Sequence, residues 1–178
     1  MMFVNNDYRD PITCQLIVEA LNICQAEETE MPVFICIGSD RHLLDCFGPL
    51  TGTMLQESLP SVNVYGTLDQ PLNARNLVKE MMIIKNRHAG QIFIAIDAAV
   101  GEESEIGRIQ FKAGAILPGR AVARSLPAVG DFSLTAIVEK RGHAQTSGLE
   151  SAKGFAHVYH MARLVQKAVT GWYCLHQE

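Results

Sequence analysis

The chain has 178 residues, 48% apolar and 19% charged, with a formal net charge of −4 at pH 7. That length suits one domain, residues 1–178, with a core of its own, and the acidic balance gives no electrostatic footprint for nucleic acid. No apolar run approaches the ~20 residues of a membrane helix, and Met1 to Asp10 hold no cationic region followed by an apolar one; neither membrane nor signal peptide is expected, and the cytoplasm is the default location.

Asp10-Pro11 reads as a helix N-cap followed by proline at the first helical position. Ile12, Leu16, Ala20 and Ile23 then recur at helical spacing. Val33 to Ile37 is a short β-branched run bounded by Pro32 and Gly38, the pattern of a strand buried on both faces. Gly38-Ser39-Asp40-Arg41 leads into Asp45-Cys46-Phe47-Gly48-Pro49. From about Cys46 to Leu59 a helix is expected, with Leu50, Met54 and Leu55 inward and either Asp45 or Gly48 as its cap. Val62 to Tyr65 is a short strand, Gly66 to Pro71 a loop, and Asn73 to about Asn86 a helix with Leu77, Met81 and Ile84 on one face. Gln91 to Ile96 is a second buried strand, which Asp97 follows. Such alternation predicts right-handed crossovers and a mainly parallel sheet.

Beyond Asp97 the character changes. Gly101 to Gly107 is an acidic turn; Arg108 to Ala113 alternates as a half-buried strand does; Phe132 to Val138 is another strand. The loop 114–131 is rich in Gly and Pro and carries Arg120, Arg124 and Asp131. Loops that long inside a compact domain are usually functional or disordered. Phe155, Val158, Ala162, Val165, Val169 and Trp172 form the stripe of a last helix that packs on the sheet. The expected fold is α/β: three layers, a mainly parallel central sheet and helices on both faces.

Asp97 stands at the carboxyl end of a strand, where open α/β sheets place their ligands; alternatively it caps a turn through the Ala98 and Ala99 amides. Asp45 is either an N-cap or the partner of Asp97. If their strands are neighbours, the two carboxylates meet and share a proton, with split apparent pKa values. One then accepts a proton from water while the other donates to a leaving group. The same pair suits a divalent metal. Asp40-Arg41 is either an ion pair shaping its loop or part of a phosphate-binding turn, although the glycine pattern of a dinucleotide fold and the lysine of a P-loop are missing.

The five cysteines, Cys14, Cys24, Cys36, Cys46 and Cys174, are scattered and odd in number, against a disulfide framework or zinc knuckle. Cys46 lies at a helix start, which lowers a thiol pKa, but beside Asp45, which raises it. His157 and His160 are spaced so that they can ligate a metal, and His42 and His143 are candidates for a third ligand.

Four motifs in order carry a resemblance: Gly38-Ser39-Asp40-Arg41 with Asp45-Cys46-Phe47-Gly48-Pro49-Leu50, then Val64-Tyr65-Gly66-Thr67-Leu68-Asp69, Ala95-Ile96-Asp97-Ala98 and Leu126-Pro127-Ala128-Val129-Gly130-Asp131. From about Val33 onward the chain resembles the YyaC-type sporulation proteins of endospore-forming bacteria. That family is similar to the spore germination protease and, more distantly, to the hydrogenase maturation proteases, which share a phosphorylase/hydrolase-like fold. Asp45 matches the germination protease's Asp before hydrophobic-Gly-Pro, and Asp97 matches the Asp of its Ile-Asp-Ala stretch. Pro118-Gly119 resembles its His-Pro-Gly loop, with Leu117 in place of the His. The maturation proteases hold nickel with an acid, an Asp and a His; their His falls near Pro127 here, so the metal set is incomplete unless Asp131 replaces it.

The resemblance implies a sporulation-associated peptidase of the sporulating cell or forespore, acting on a protein or peptide substrate of the spore. Asp45 and Asp97 are then catalytic. Asp40, Arg41, Asp69, Arg120, Arg124 and Asp131 are its substrate-binding candidates. No cofactor is expected other than a divalent metal at Asp45 and Asp97. The rivals are a non-catalytic binding or assembly protein of sporulation on the same fold, and a metal-assisted hydrolase. Nothing in the sequence sets an oligomeric state.

Overall fold

A computed structural model describes residues 1–26, 28, 30–118, 126–142 and 154–176. In chain order the elements are β1 (Met2–Asp7), α1 (Thr13–Gln25), β2 (Val33–Cys36), a 3₁₀ turn (Leu43–Asp45), α2 (Phe47–Ser58), β3 (Val64–Tyr65), α3 (Leu77–Arg87), β4 (Phe93–Gly101), a second 3₁₀ turn (Glu103–Glu105), β5 (Arg108–Ala113), β6 (Phe132–Lys140) and α4 (Gly154–Leu175). The strands form one six-stranded sheet in the order β1-β5-β6-β4-β2-β3. The β6-β4, β4-β2 and β2-β3 pairs are parallel; β1-β5 and β5-β6 are antiparallel. The expected α/β fold with a mostly parallel sheet is therefore what the chain adopts.

Period-2 alternation along the strands sends side chains to two cores. Phe34 and Cys36 of β2, Ile94 and Ile96 of β4 and Leu134, Ala136 and Val138 of β6 meet α1, α2 and α4. Val33, Ile35 and Ile37, with Phe93 and Ala95, face the other way onto Leu77, Met81 and Ile84 of α3. Helices thus cover both faces. In α4, Val158, Ala162, Val165, Val169 and Trp172 are buried as expected, whereas Phe155 is exposed and stacks beside Tyr159. α4 lies against α1 and α2 more than on the sheet, touching it along β6.

Three expectations are corrected. β1 was not foreseen: its sequence, MFVNND, buries only Val4, because an edge strand needs little apolar surface. In α1 the buried stripe is Ile17, Ala20, Leu21 and Cys24, while Ile12 and Ile23 are 50% and 58% exposed. The first turn sets that rotation: Thr13 donates its hydroxyl to the Asp7 carbonyl and accepts from Asn6, which ties the buried Thr13 to β1. The helix also starts later than Asp10-Pro11 suggests, since Asp10 accepts from the Ile12 amide in a turn before it. Finally, β4 does not stop before Asp97. It continues to Gly101, because the longer β6 keeps pairing with it, Ala98 opposite Ala136 and Gly101 opposite Lys140, after β2 has ended at Cys36.

Candidate active site

The chain leaves β2 toward β3 on one side and leaves β4 toward β5 and β6 on the other. The carboxyl ends of β2 and β4 therefore flank the point where the connections diverge, the usual ligand crevice of an open α/β sheet. Beyond Cys36↔Ile96 one more bond, from the Ile37 amide to the Ile96 carbonyl, holds the strands together. Then β2 turns away at Gly38, and Asp97 stands on β4 with Thr135 of β6 directly opposite on one side and the departing β2 loop on the other.

That loop is held tightly. The Ser39 amide donates to the Asp45 carbonyl, the Asp45 amide to the His42 carbonyl and the Gly38 amide to the Leu72 carbonyl. Gly38 has φ of +147°, and a Cβ there would lie 2.0 Å from the Asp45 carbonyl oxygen. A Cβ on Gly48 would lie 2.0 Å from the Ile37 oxygen, one on Gly52 2.2 Å from the Gly66 oxygen, and one on Gly66 1.8 Å from the Cys36 oxygen. These bare backbones let the start of α2 rest directly on the ends of β2 and β3. Pro49, without an amide proton to satisfy, fits that first turn. The Gly-Pro after Asp45 is thus the device that presses the Asp45 turn against the crevice.

Asp45 comes close enough to Asp97 for its charge to act on the Asp97 ionisation. Burial raises the Asp97 carboxyl well above the usual carboxylate range, the Asp45 charge raises it further, and the Ala98 amide, donating at 2.8 Å to Oδ1, opposes both. Burial also pushes the Asp45 carboxyl up to about 6, against the pull of the His42 charge. Both side chains keep part of their surface in contact with solvent. Among the described residues no side chain or amide donates a hydrogen bond to the Asp45 carboxylate, and Asp97 has only the Ala98 amide. Asp97 thus accepts from the Ala98 amide, one of the two amides of the cap reading, while the charge of a second acid acts on it.

Among the described residues the pair has no further ligand beside it. Among the described residues no group of three His, Cys, Asp or Glu is placed to hold an ion. His157 is buried edge-on to Tyr8 while His160 is exposed, so these two do not act together. Cys46 is buried; its thiol, donating to the Leu43 carbonyl, is pushed up mainly by burial and further by Asp45, which suits packing rather than nucleophilic attack.

Residues 5–168 match the family described as "Protein of unknown function (DUF1256)". The chain belongs to that family. It is 35% identical over 122 residues to "Uncharacterized protein YyaC" of Bacillus subtilis (strain 168), across 68% of this chain and 60% of that protein. The match thus spans less than two thirds of that relative's length.

Around the crevice of this DUF1256 chain the other candidates fall in different places. Asp40 and Arg41 sit exposed on the loop above Asp45; the Arg41 amide donates to Ser39 Oγ, and the expected Asp40–Arg41 ion pair does not form. Asp69 is exposed on the loop after β3, where it lines a concavity of about 630 Å³. Asp131 lies at the opposite rim of the sheet. Its carboxylate accepts from the Phe93 amide at 2.8 Å, and its own amide donates to the Phe93 carbonyl, so it fixes the start of β4 and is remote from the crevice as a third ligand. Arg120, Arg124, Gly119 and His143 lie outside the described residues. Sequence reasoning did not single out Thr135 or the glycine seat of α2. Gly48-x-x-x-Gly52, a small-residue face four apart on one helix, was the available signal for the second.

Proposed function

We propose that this protein is a carboxylate-dependent peptidase of sporulation, kin to the spore germination protease and more distantly to the hydrogenase maturation proteases, on a phosphorylase/hydrolase-like fold in the cytoplasm of the sporulating cell or forespore. The motif resemblance supports the kinship, and the relative in an endospore-forming bacterium supports the setting. The observation that carries the chemistry is the burial of both acids at the strand divergence with the Asp45 charge acting on Asp97, which leaves Asp97 the more reluctant of the two to ionise.

The split assigns the roles. Near neutral pH Asp45, pushed up to about 6, is mostly a carboxylate, and Asp97, raised well above the usual carboxylate range by burial and by the Asp45 charge, is the partner that keeps its proton more readily. A water between them loses a proton to Asp45 as its oxygen bonds the scissile carbonyl carbon. Asp97 gives its proton toward the amide, first supporting the carbonyl oxygen and then the departing nitrogen as the C–N bond breaks. One proton has then passed from water to Asp45 and one from Asp97 to the new amine, so the dyad returns by internal exchange. No step needs a metal.

The test is digestion of a proteome-derived peptide library by purified protein, with mass spectrometry of the new amino termini. Wild type should generate termini sharing a cleavage context. Asp45→Asn and Asp97→Asn should each slow their appearance by at least ~100-fold, with near-wild-type circular dichroism. Full activity in both variants would reject the dyad. No cleavage by wild type, together with stable retention of peptides, would favour the binding-protein reading.

A further inference from the structure

The concavity beside β3 is not part of the carboxylate crevice, yet the same loop builds a wall of each. Gly66, Thr67 and Asp69 to Leu72 line the concavity; Leu72 also bridges Ile37 and accepts the Gly38 amide at the crevice mouth. The floor is the terminal strand of the sheet. β3 pairs with β2 along one side, and among the described residues no strand pairs its other side, where Val64 and Tyr65 face the concavity. Its position is fixed from behind: Tyr65 Oη lies 2.7 Å from His88 Nε2, and His88 Nδ1 lies 2.6 Å from Gln91 Oε1. An edge strand with open amides and carbonyls is a template for an added strand. At about 630 Å³ the space is of ligand size.

The charges of the lining point one way. Asp69 and Glu80 are its charged side chains, and among the described residues no Lys or Arg lines it; Arg87 reaches only the Tyr65 hydroxyl, at 3.4 Å. Both reach solvent, so both can meet a cation without first being stripped of water.

We infer that the concavity docks an extended, basic polypeptide segment, which pairs with the free side of β3 and sets a lysine or arginine between Asp69 and Glu80. As a substrate-docking site for the Asp45–Asp97 dyad this rests on the peptidase reading; the binding itself does not. The 66–72 loop would then carry a bound chain from the concavity toward the crevice mouth.

The experiment uses full-length Asp45→Asn/Asp97→Asn protein, so that no probe is cut, and follows fluorescence anisotropy of a labelled octapeptide alternating lysine and valine. It should bind, with affinity falling as salt rises. Three changes should each weaken it at least tenfold: glutamate in place of the probe's lysines, N-methylation of alternate probe amides, and Asp69→Asn/Glu80→Gln in the protein. The control Glu19→Gln/Glu28→Gln, which removes the same charge from exposed positions at α1 and after it, should bind as the parent does. Absence of binding, equal binding by the Asp69→Asn/Glu80→Gln protein, or equal loss in the control overturns the site. Indifference to N-methylation overturns the strand pairing. Failure of the wild type to cleave any peptide would strike the peptidase reading and leave these binding results intact.

Discussion

Two aspartates sit along β4 and do opposite things: Asp131, just before β6, bonds the start of the strand, and Asp97 stands at its middle, where β2 has ended. At the start of the strand Asp131 exchanges two hydrogen bonds with Phe93, one through its carboxylate and one through its amide. It is exposed, and its charge is both hydrated and used. Farther along the strand Asp97 is crowded by protein, receives one amide and feels the charge of a second acid. Structural aspartates are compensated where they stand. An acid held against burial and against like charge costs stability, and such sites concentrate where chemistry is done.

The largest expected contrast follows directly. Asp97→Asn should remove the proposed cleavage by at least ~100-fold, whereas Asp131→Asn should leave it within about twofold, because it loses no group from the crevice. Equal losses would erase the distinction between the rims. Next in size is the seat of α2. Gly48→Ala puts a methyl where the Ile37 oxygen stands 2.0 Å away, so the helix start must shift and take the Asp45 turn with it. Denaturant unfolding should show a loss of about 3 kcal/mol, with activity falling too. Gly171→Ala on the exposed side of α4 meets nothing within 4 Å and should instead gain ~0.5–1 kcal/mol from helix propensity.

The two rims also differed in how readable they were. The strands of the parallel half announced themselves because they are buried on both faces: Val33 to Ile37 and Ile92 to Ile96 are apolar without interruption. The neighbourhood of β2 and β4 then placed Asp45 near Asp97. What the residues could not reveal was decided by partners distant in sequence. β4 runs past Asp97 because β6 is there to pair with it. α1 is turned by a hydroxyl bond from Thr13 to β1, so two isoleucines that fit its pattern face solvent. Asp131 looked like a spare ligand since its partner is a backbone amide 38 residues away, which no side-chain motif encodes. The concavity escaped notice because Asp69 and Glu80, on different segments, come to line one space only in the folded chain.

A smaller effect tests the amino-terminal rim alone. Asp131→Ala leaves the Phe93 amide without its acceptor and should cost about 1 kcal/mol in urea unfolding. Asp131→Asn keeps an oxygen for that amide and should cost less than half as much. If the two variants lose equal stability, the bond to Phe93 is not what Asp131 contributes.

The smallest effect is the dyad's own pH dependence, and its sign is the informative part. Both carboxyls hold their protons more tightly in the folded protein than in the unfolded chain, Asp45 to about 6 and Asp97 well above the usual range. Between about pH 4 and the folded values the native state therefore binds more protons than the unfolded state, and stability contributed by the pair falls as pH rises. The stability difference between Asp45→Asn/Asp97→Asn and wild type should accordingly grow from pH 5 to pH 7, with the variant gaining on the order of 1 kcal/mol, about 2–4 °C in Tm. The other titrating groups cancel in that difference because both proteins carry them. Asp131→Asn should show no such growth relative to wild type if the burden lies in the crevice. A difference that shrinks toward pH 7 would mean that the two charges are stabilised where they sit, and the proton-sharing basis of the proposed chemistry would go with it.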